Sequence, residues 1–376
     1  MPDYHAESCQ LNNLNNIKQD WIQLQERANC SYFQSWGWIG TWLEQIAYDL
    51  EPMLVKIWHD KLLVGIGVFV SKKVTRHHIF HSNALFLNEY PFDGQNMVIE
   101  YNGLLADKDH QQAVYRETIG HIFNNFRNSD ELFLSGLNEN KDYKLLQENY
   151  PDNITNLRIV EKSPAWSVDL TSFGHGIDNF LKTLSKNRRS QIRRSIKAYE
   201  EQGPLKIKEA DNKQEALIFF NGLKELHTER WKLKGGHGSF ANPLWEQFHS
   251  TLISSRFTEG EIQLLQVSNL DGTIGYLYNF IWRKRVYVLQ TGFKITDKKH
   301  LMPGYVVHVL AIAHNKQKGL EIYDLMHGDS LYKRILCNQS ESLYWAVIQR
   351  YHLKFVLEQF ATNMVRSFRK LTRSKQ

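Results

Sequence analysis

The sequence predicts an α+β fold, and three observations carry that expectation. β-rich runs stand beside one another along the chain, as at residues 52–58 and 62–74 and again at 261–268 and 273–282. Helical runs are inserted between these strand pairs instead of alternating with single strands, which disfavours a purely parallel sheet. The hydrophobic share of 42% is enough for real cores, and a length of 376 residues makes two domains the natural expectation, with one large domain the alternative.

The elements follow in order. Residues 17–28 read as a helix with Trp21, Leu24 and Ala28 on one face. Phe33, Trp36, Trp38 and Trp42 surround a second helix at 33–43, and aromatics at that density belong to a core. Residues 52–58 and 62–74 make a hairpin turning at Asp60-Lys61. A helix at 114–126 and strands at 131–137 and 166–170 complete the first half. The boundary falls near 161–164, giving domains 1–164 and 165–376. The second half opens with a helix over 177–202, stopped by Gly203-Pro204. Ile177, Phe180, Leu181, Leu184, Ile192, Ile196 and Tyr199 share one face of it. Lys182, Lys186, Arg189, Arg193 and Lys197 form a separate stripe, while Arg188 projects onto the apolar side. That stripe is either a solvated face or a surface for an anion such as a diphosphate, a nucleotide or an RNA backbone.

Composition narrows the function. Net charge is +6, from 46 basic and 40 acidic residues, too small an excess to announce a nucleic-acid binder. Cys9, Cys30 and Cys337 are far apart and form no CxxC, so neither a disulfide framework nor a cysteine zinc site is expected. The string His77, His78 and His81 sits at a strand end, where its side chains diverge, so no metal site is expected. No GxSxG or HExxH occurs, which removes the signatures of a triad hydrolase and a zincin. The first residues lack a basic and an apolar signal region, and no apolar run approaches the ~20 residues of a spanning helix. A soluble cytoplasmic protein is expected, with peripheral attachment to the inner membrane compatible.

The chemistry-bearing stretch is 261–351. It reads strand, strand, strand, Pro303-Gly304, helix 305–318, Gly319, strand 321–326, short helix, strand. A helix N-terminus directly after a meander presents unpaired N–H groups and a positive dipole end, which suits a phosphate-bearing ligand. The next strand ends in a polar segment holding Asp324, His327, Tyr332 and Lys333. A tyrosine there suits protonation of a leaving group and a lysine suits an anion. Asp324 alternates with apolar neighbours, so it is expected to face a pocket between splayed strands. His227, Arg230 and Trp231 gather at a helix end beside Lys234-Gly235-Gly236-His237-Gly238, which fits no phosphate-loop spacing and reads as a mobile connection.

In order and spacing these motifs resemble the acyltransferases of the GNAT type, in particular the CelD/BcsL-like branch tied to cellulose and exopolysaccharide biosynthesis. Phe33, Ser35, Trp38 and Trp42 resemble that branch's aromatic helix, and Asn187-Arg188-Arg189 with Arg193-Arg194 its basic helix. His227, Arg230-Trp231, Gly236 and Phe240 resemble the next block. Met302-Pro303-Gly304, Gly319, Asp324, Gly328 and Tyr332-Lys333 resemble the most recognisable one. The resemblance spans roughly 29–351. It implies two tandem GNAT-like domains, each a mixed, mostly antiparallel sheet flanked by helices, the first degenerate. It implies an enzyme, an N- or O-acetyltransferase that takes acetyl-CoA or another acyl-CoA and acts on a polysaccharide- or envelope-related acceptor, without metal. It maps the acyl-CoA pyrophosphate onto Leu301, Met302, Pro303, Gly304 and Tyr305, with Lys299 beside them. Tyr332 becomes the acid, His227 or Asp324 the base, and Arg188, Arg193, Trp231 and Lys333 the substrate contacts. Partners would be a small-molecule or saccharide acceptor, with peripheral association to a membrane-bound polysaccharide-synthesis complex compatible, and tRNA under the alternative reading alone. One departure is the single glycine of 298–304. The same architecture in Fem-type aminoacyltransferases implies the alternative of aminoacyl-tRNA as donor, and a non-catalytic scaffold is the third reading.

Overall fold

The computed structural model describes residues 4–11, 14–45, 50–76, 79–89, 91–92, 95–96 and 99–360. They form two compact units, one holding residues 4–36, 50–162 and 344–360, the other 37–45 and 163–343. The single cut expected at 164/165 therefore misses an exchange: residues 37–45 belong to the second unit and the stretch from 344 to the first.

The first unit begins with β1 (Tyr4–Gln10) and α1 (Leu14–Arg27). The helix α2 (Trp36–Gln45) then departs to the second unit. β2 (Met53–His59), β3 (Leu62–Arg76) and β4 (Phe80–Leu87) make an antiparallel meander. Asp60 takes a positive φ of 54° at the hairpin turn, where an aspartate tolerates the left-handed region better than most residues. Three short pieces follow: β5 (Pro91–Phe92), β6 (Gln95–Asn96) and β7 (Leu105–Ala106). α3 (Gln111–Asn125) crosses over to β8 (Glu131–Asn138), which joins β4 in parallel. α4 (Lys144–Asn149) precedes the long strand β9 (Thr155–Asp169), whose first half lies in this unit. Val114, Ile119, Ile122 and Phe123 of α3 bury one face of the sheet with Val55, Ile57, Leu85 and Leu132.

The second unit repeats the recipe. The helix expected over 177–202 is two helices, α5 (Ile177–Thr183) and α6 (Lys186–Glu200). Leu184 is extended at φ −84°, ψ 158° and Ser185 at φ −56°, ψ 147°. Leu184 stays buried across the break, so the apolar periodicity survives an interruption that Thr183 and Ser185, weak helix formers, permit. β10 (Lys206–Glu209), α7 (Lys213–Leu233) and α8 (Pro243–Arg256) follow. Next come β11 (Ile262–Asn269), β12 (Gly272–Trp282) and β13 (Arg285–Phe293) as an antiparallel meander. α9 (Pro303–Gln317) crosses to β14 (Ile322–His327), which pairs with β13 in parallel, and α10 (Leu331–Leu336) leads into β15 (Gln339–Arg350). The sheet order is β9-β14-β13-β12-β11-β10.

Both faces of that sheet are covered. Phe180, Leu181 and Ile192 pack with Val306, Val307 and Leu310 of α9 and with Leu277, Val286 and Val288 of the strands. On the opposite face Phe220 meets Tyr278, and Trp38 of α2 meets Phe248 and Phe280 with ring centroids 4.8 and 5.8 Å apart. α9 is buried nearly all round, as a helix with no polar face must be.

Burial also holds three imidazoles of this unit neutral. Desolvation lowers His227 to about 4, with Arg230 adding to the effect, and lowers His249 and His308 to about 3. Their unfolded value is 6.5, so the folded state is favoured fully above that pH and loses ground as pH falls, because the unfolded chain takes up the protons. At pH 4.5 each group forfeits roughly 2–3 kcal/mol. The urea midpoint is expected to drop clearly between pH 7 and pH 4.5; an unchanged midpoint would mean that these rings accept protons while folded.

Candidate active site

β13 and β14 pair only from Arg285–Tyr287 to Ile322–Asp324. Past that point β14 bends, with Met326 at φ +62° and Gly328 at φ +110°. β13 continues to Phe293 and carries a bulge at Leu289, where the partners of Tyr278 and Asn279 skip from Gln290 to Val288. A bulge re-aims the side chains beyond it, and Gln290 and Phe293 line a cavity of about 710 Å³. Its other walls are Leu301, Met302, Pro303, Gly304, Tyr305 and His308 at the start of α9, Tyr332 of α10, and His227, Arg230 and Trp231 of α7. Residues from three separate expectations, the helix start, the tyrosine and the histidine corner, thus meet on one cavity.

The first turn of α9 offers less than the bare sequence promised. Met302 N–H donates to Ser195 Oγ at 2.9 Å. Tyr305 and Val306 N–H both donate to the Met302 carbonyl, and Pro303 has no N–H. Among the described residues, Gly304 N–H is the donor this turn leaves for a ligand. Positive charge comes from side chains instead. Arg230, Lys234 and Lys294 lie on the wall, and the Arg188 guanidinium sits 5.8 Å over the Tyr305 ring. None of the four forms an ion pair among the described residues, and the wall contains no carboxylate. An anion entering here meets uncompensated charge at close range.

Tyr332 is pushed up to about 12, chiefly by burial. It is therefore a protonated phenol across the neutral range. Its ring stacks on His308, centroids 5.5 Å apart and planes at 14°. His227 is almost wholly buried and its Nδ1 has no hydrogen-bond partner among the described residues. The loop after α7 fixes it. A Cβ on Gly238 would come within 2.5 Å of His227 Cε1 and 2.7 Å of Trp231 Cδ1, at a φ of +67°.

Other expected residues stand elsewhere. Asp324 does not face a pocket. It is completely buried, accepts from Met326 N–H at 2.6 Å and from Arg285 Nε at 2.9 Å, and lies off the cavity wall. A wholly buried carboxylate held by a guanidinium and an amide, with no access to the cavity, is placed for an ion pair and not for a base. Lys333 is buried too, its ammonium donating to the Met326 and His327 carbonyls, so it secures the bend of β14. Lys299 is exposed and off the wall. Arg193 is exposed and pairs with Asp178 at 2.7 Å. His77 and His78 lie outside the described residues, while His81 Nδ1 lies 2.9 Å from Thr75 Oγ1. No group of three metal-ligating side chains occurs among the described residues. His308 and Lys294 are wall residues that the sequence reading passed over; a lone histidine inside an apolar helix was the available signal.

Residues 186–334 match the family model described as the acetyltransferase (GNAT) domain. This part runs from α6 into α10 and contains every residue of the cavity wall. Solved structures are similar over nearly the whole chain. FemX matches with a TM-score of 0.60 at 10% identity, over 94% of this chain and 99% of its own. The C-terminal domain of a putative lysylphosphatidylglycerol synthetase from Agrobacterium fabrum gives 0.52 at 10%, over 89% and 92%. L-PGS from Bacillus licheniformis gives 0.51 at 9%, over 92% and 95%. At such identities the likeness is one of fold, and the α+β, GNAT-like architecture expected from the sequence is the one observed. No curated protein sequence matches the chain.

Substituting Gly238 by alanine is expected to displace His227 and Trp231 and to strain a left-handed backbone position, destabilising the chain by about 1–3 kcal/mol. Tryptophan fluorescence and thermal unfolding would register both effects; a variant matching the parent would show that this loop does not hold the wall.

Proposed function

We propose that this chain is an acyltransferase that moves an acetyl or similar acyl group from an acyl-CoA to an amine or hydroxyl acceptor. The observation that carries this reading is the single cavity joining the protonated Tyr332 phenol, the neutral His227 imidazole and the start of α9, inside the part that matches the GNAT family model. Gly304 N–H, Arg188, Lys234, Arg230 and Lys294 are the groups that would hold a phosphate-bearing donor. The acceptor nitrogen or oxygen bonds to the acyl carbon and passes its proton to His227. The carbon–sulfur bond then breaks and Tyr332 protonates the leaving thiolate. A burial-depressed histidine is already in its accepting form at neutral pH and gains driving force as the attacking atom becomes positive.

A saccharide or cell-envelope acceptor rests on the sequence resemblance to the CelD/BcsL-like branch. Peripheral membrane association has one structural support. Residues 353–360 are helical, and Leu353, Val356, Leu357 and Phe360 are all more than half exposed at helical spacing. Arg366, Arg369, Lys370, Arg373 and Lys375 follow in the sequence. Such a stripe with adjacent cations suits an anionic bilayer surface. The second reading, transfer of an aminoacyl group from tRNA, is favoured by the single free amide of α9 and the exposed cations of α6. The absence of a carboxylate on the wall weighs against it, because an aminoacyl group carries an ammonium.

Calorimetric titration with acetyl-CoA is expected to show binding. Tyr332→Phe should retain that affinity while turnover falls by about a hundredfold or more. No binding of acetyl-CoA, together with salt-sensitive binding of charged tRNA, would transfer the assignment to the second reading. Vesicles containing phosphatidylglycerol should co-sediment the chain, and neutral vesicles should not; equal behaviour would remove the membrane surface as a partner.

A further inference from the structure

Between Val306 and Ile312 every side chain of α9 except one is aliphatic. The exception, His308, is wholly buried yet forms part of the cavity wall. Phe293 meets it edge-on with centroids 5.7 Å apart, and Tyr332 stacks on its face. Its Nδ1 lies 2.9 Å from the hydroxyl of Tyr323, which is itself fully buried. Its Nε2 has no hydrogen-bond partner among the described residues. With Nδ1 engaged on the strand side, Nε2 is the polar atom that this wall residue leaves without a partner among the described residues.

The proton can be placed by counting unmet groups. His308 is the one hydrogen-bond partner that the Tyr323 hydroxyl has among the described residues. If Nδ1 carried the proton, the Tyr323 O–H would be buried without an acceptor and Nε2 would lack a donor. If Tyr323 donates to Nδ1, the ring proton sits on Nε2, and one N–H at the cavity wall is the donor left unmet. A buried unmet donor costs about 1–3 kcal/mol, so the second arrangement is the favoured one, and a ligand can satisfy its remaining group.

We propose that His308 is a catalytic residue whose Nε2–H donates to the acyl oxygen of the donor, and more strongly to the oxyanion formed when the acceptor attacks. The proposal rests on the acyl-CoA reading given above. As the acceptor bonds to the acyl carbon, the carbonyl π pair moves onto oxygen and is held there by the Nε2–H. The pair returns to re-form the carbonyl as the carbon–sulfur bond breaks, and the Nε2 proton stays on His308 throughout. The ring serves as a neutral donor: desolvation, assisted by Lys333, keeps it from becoming a cation near neutrality. Phe293, Tyr332 and Tyr323 fix its position and tautomer before substrate arrives, which is what electrostatic stabilisation of a developing charge requires.

Histidine side-chain nitrogen NMR on the full chain tests this, with His308→Gln supplying the assignment and calorimetry of acetyl-CoA and CoA run alongside. His308 should be protonated at Nε2. Acetyl-CoA should move that resonance, whereas CoA, which lacks the acyl oxygen, should not. His308→Phe should bind acetyl-CoA about fivefold more weakly with CoA affinity unchanged, the effect of one lost hydrogen bond. Should that variant fail to fold, Tyr323→Phe, which keeps the ring but releases its tautomer, should reduce the Nε2–H signal. A wild-type ring without a proton on Nε2, or one unmoved by saturating acetyl-CoA that calorimetry shows to be bound, overturns the proposal. Wild-type binding of neither acetyl-CoA nor CoA would instead overturn the donor reading, and with it the acyl oxygen assigned to His308.

Discussion

The second unit depends on one buried ion pair, Asp324 with Arg285. Asp324 stands at the last position where β13 and β14 still pair, opposite Tyr287. It binds Arg285 from the neighbouring strand and, two residues on, the Met326 N–H just where φ turns positive. Arg285 also reaches Glu341 at 2.9 Å. One carboxylate therefore fixes both the end of strand pairing and the bend that separates the strands. Breaking such a pair by removing one partner costs about 3–5 kcal/mol, because the other charge is left buried. Pairing of β13 with β14 thus ends, and β14 bends, at the residue that holds this ion pair.

A second constraint comes from α9. A helix buried nearly all round has no polar face on which to carry recognition groups, so its contribution to the site is confined to its first turn and to whatever polar side chain its interior tolerates. The first turn is largely self-satisfied through Ser195 and the Met302 carbonyl. The positive charge of the site is accordingly supplied by side chains from α6, α7 and the loop after β13. These long side chains adapt to a ligand more readily than a backbone cradle does, and they discriminate less sharply among phosphate geometries.

How much of this was legible in the sequence follows from the range of the forces involved. The strand–strand–strand–helix–strand order of the second unit rests on local periodicity and turn residues, and it was readable. So was the placing of Pro303-Gly304 at a helix start, since proline favours that position. The gathering of Tyr332, His227 and Trp231 on the same cavity could be expected only through the family resemblance, because their approach is set by the sheet. The role of Asp324 was misjudged for a long-range reason: its partner lies 39 positions away, and alternation with apolar neighbours looks the same for a pocket carboxylate and a buried ion pair. The break at Leu184 escaped because the residue at the interruption still faces the core. The transfer of residues 37–45 to the second unit was invisible, since Trp38 and Trp42 read as core without saying of which core.

The same limits decide what the site says about its donor. Net charge near the cavity does not separate an acyl-CoA from an aminoacyl-tRNA, since both are polyanions and both would be drawn to Arg188, Arg230, Lys234 and Lys294. The acyl group itself does separate them. An aminoacyl ester brings an ammonium within a few ångströms of the reacting carbon, and holding it in a desolvated pocket calls for a carboxylate or several well-placed acceptors. This wall has no carboxylate; beside its cations and aromatic rings, its side-chain acceptors are the uncharged Ser239, Gln290, Thr291 and Thr296 and the imidazoles. An uncharged acyl group avoids that cost, and under the proposal above its oxygen would accept from His308. The proposal of an acyl thioester donor thus rests on the lining of the cavity rather than on the first turn of α9.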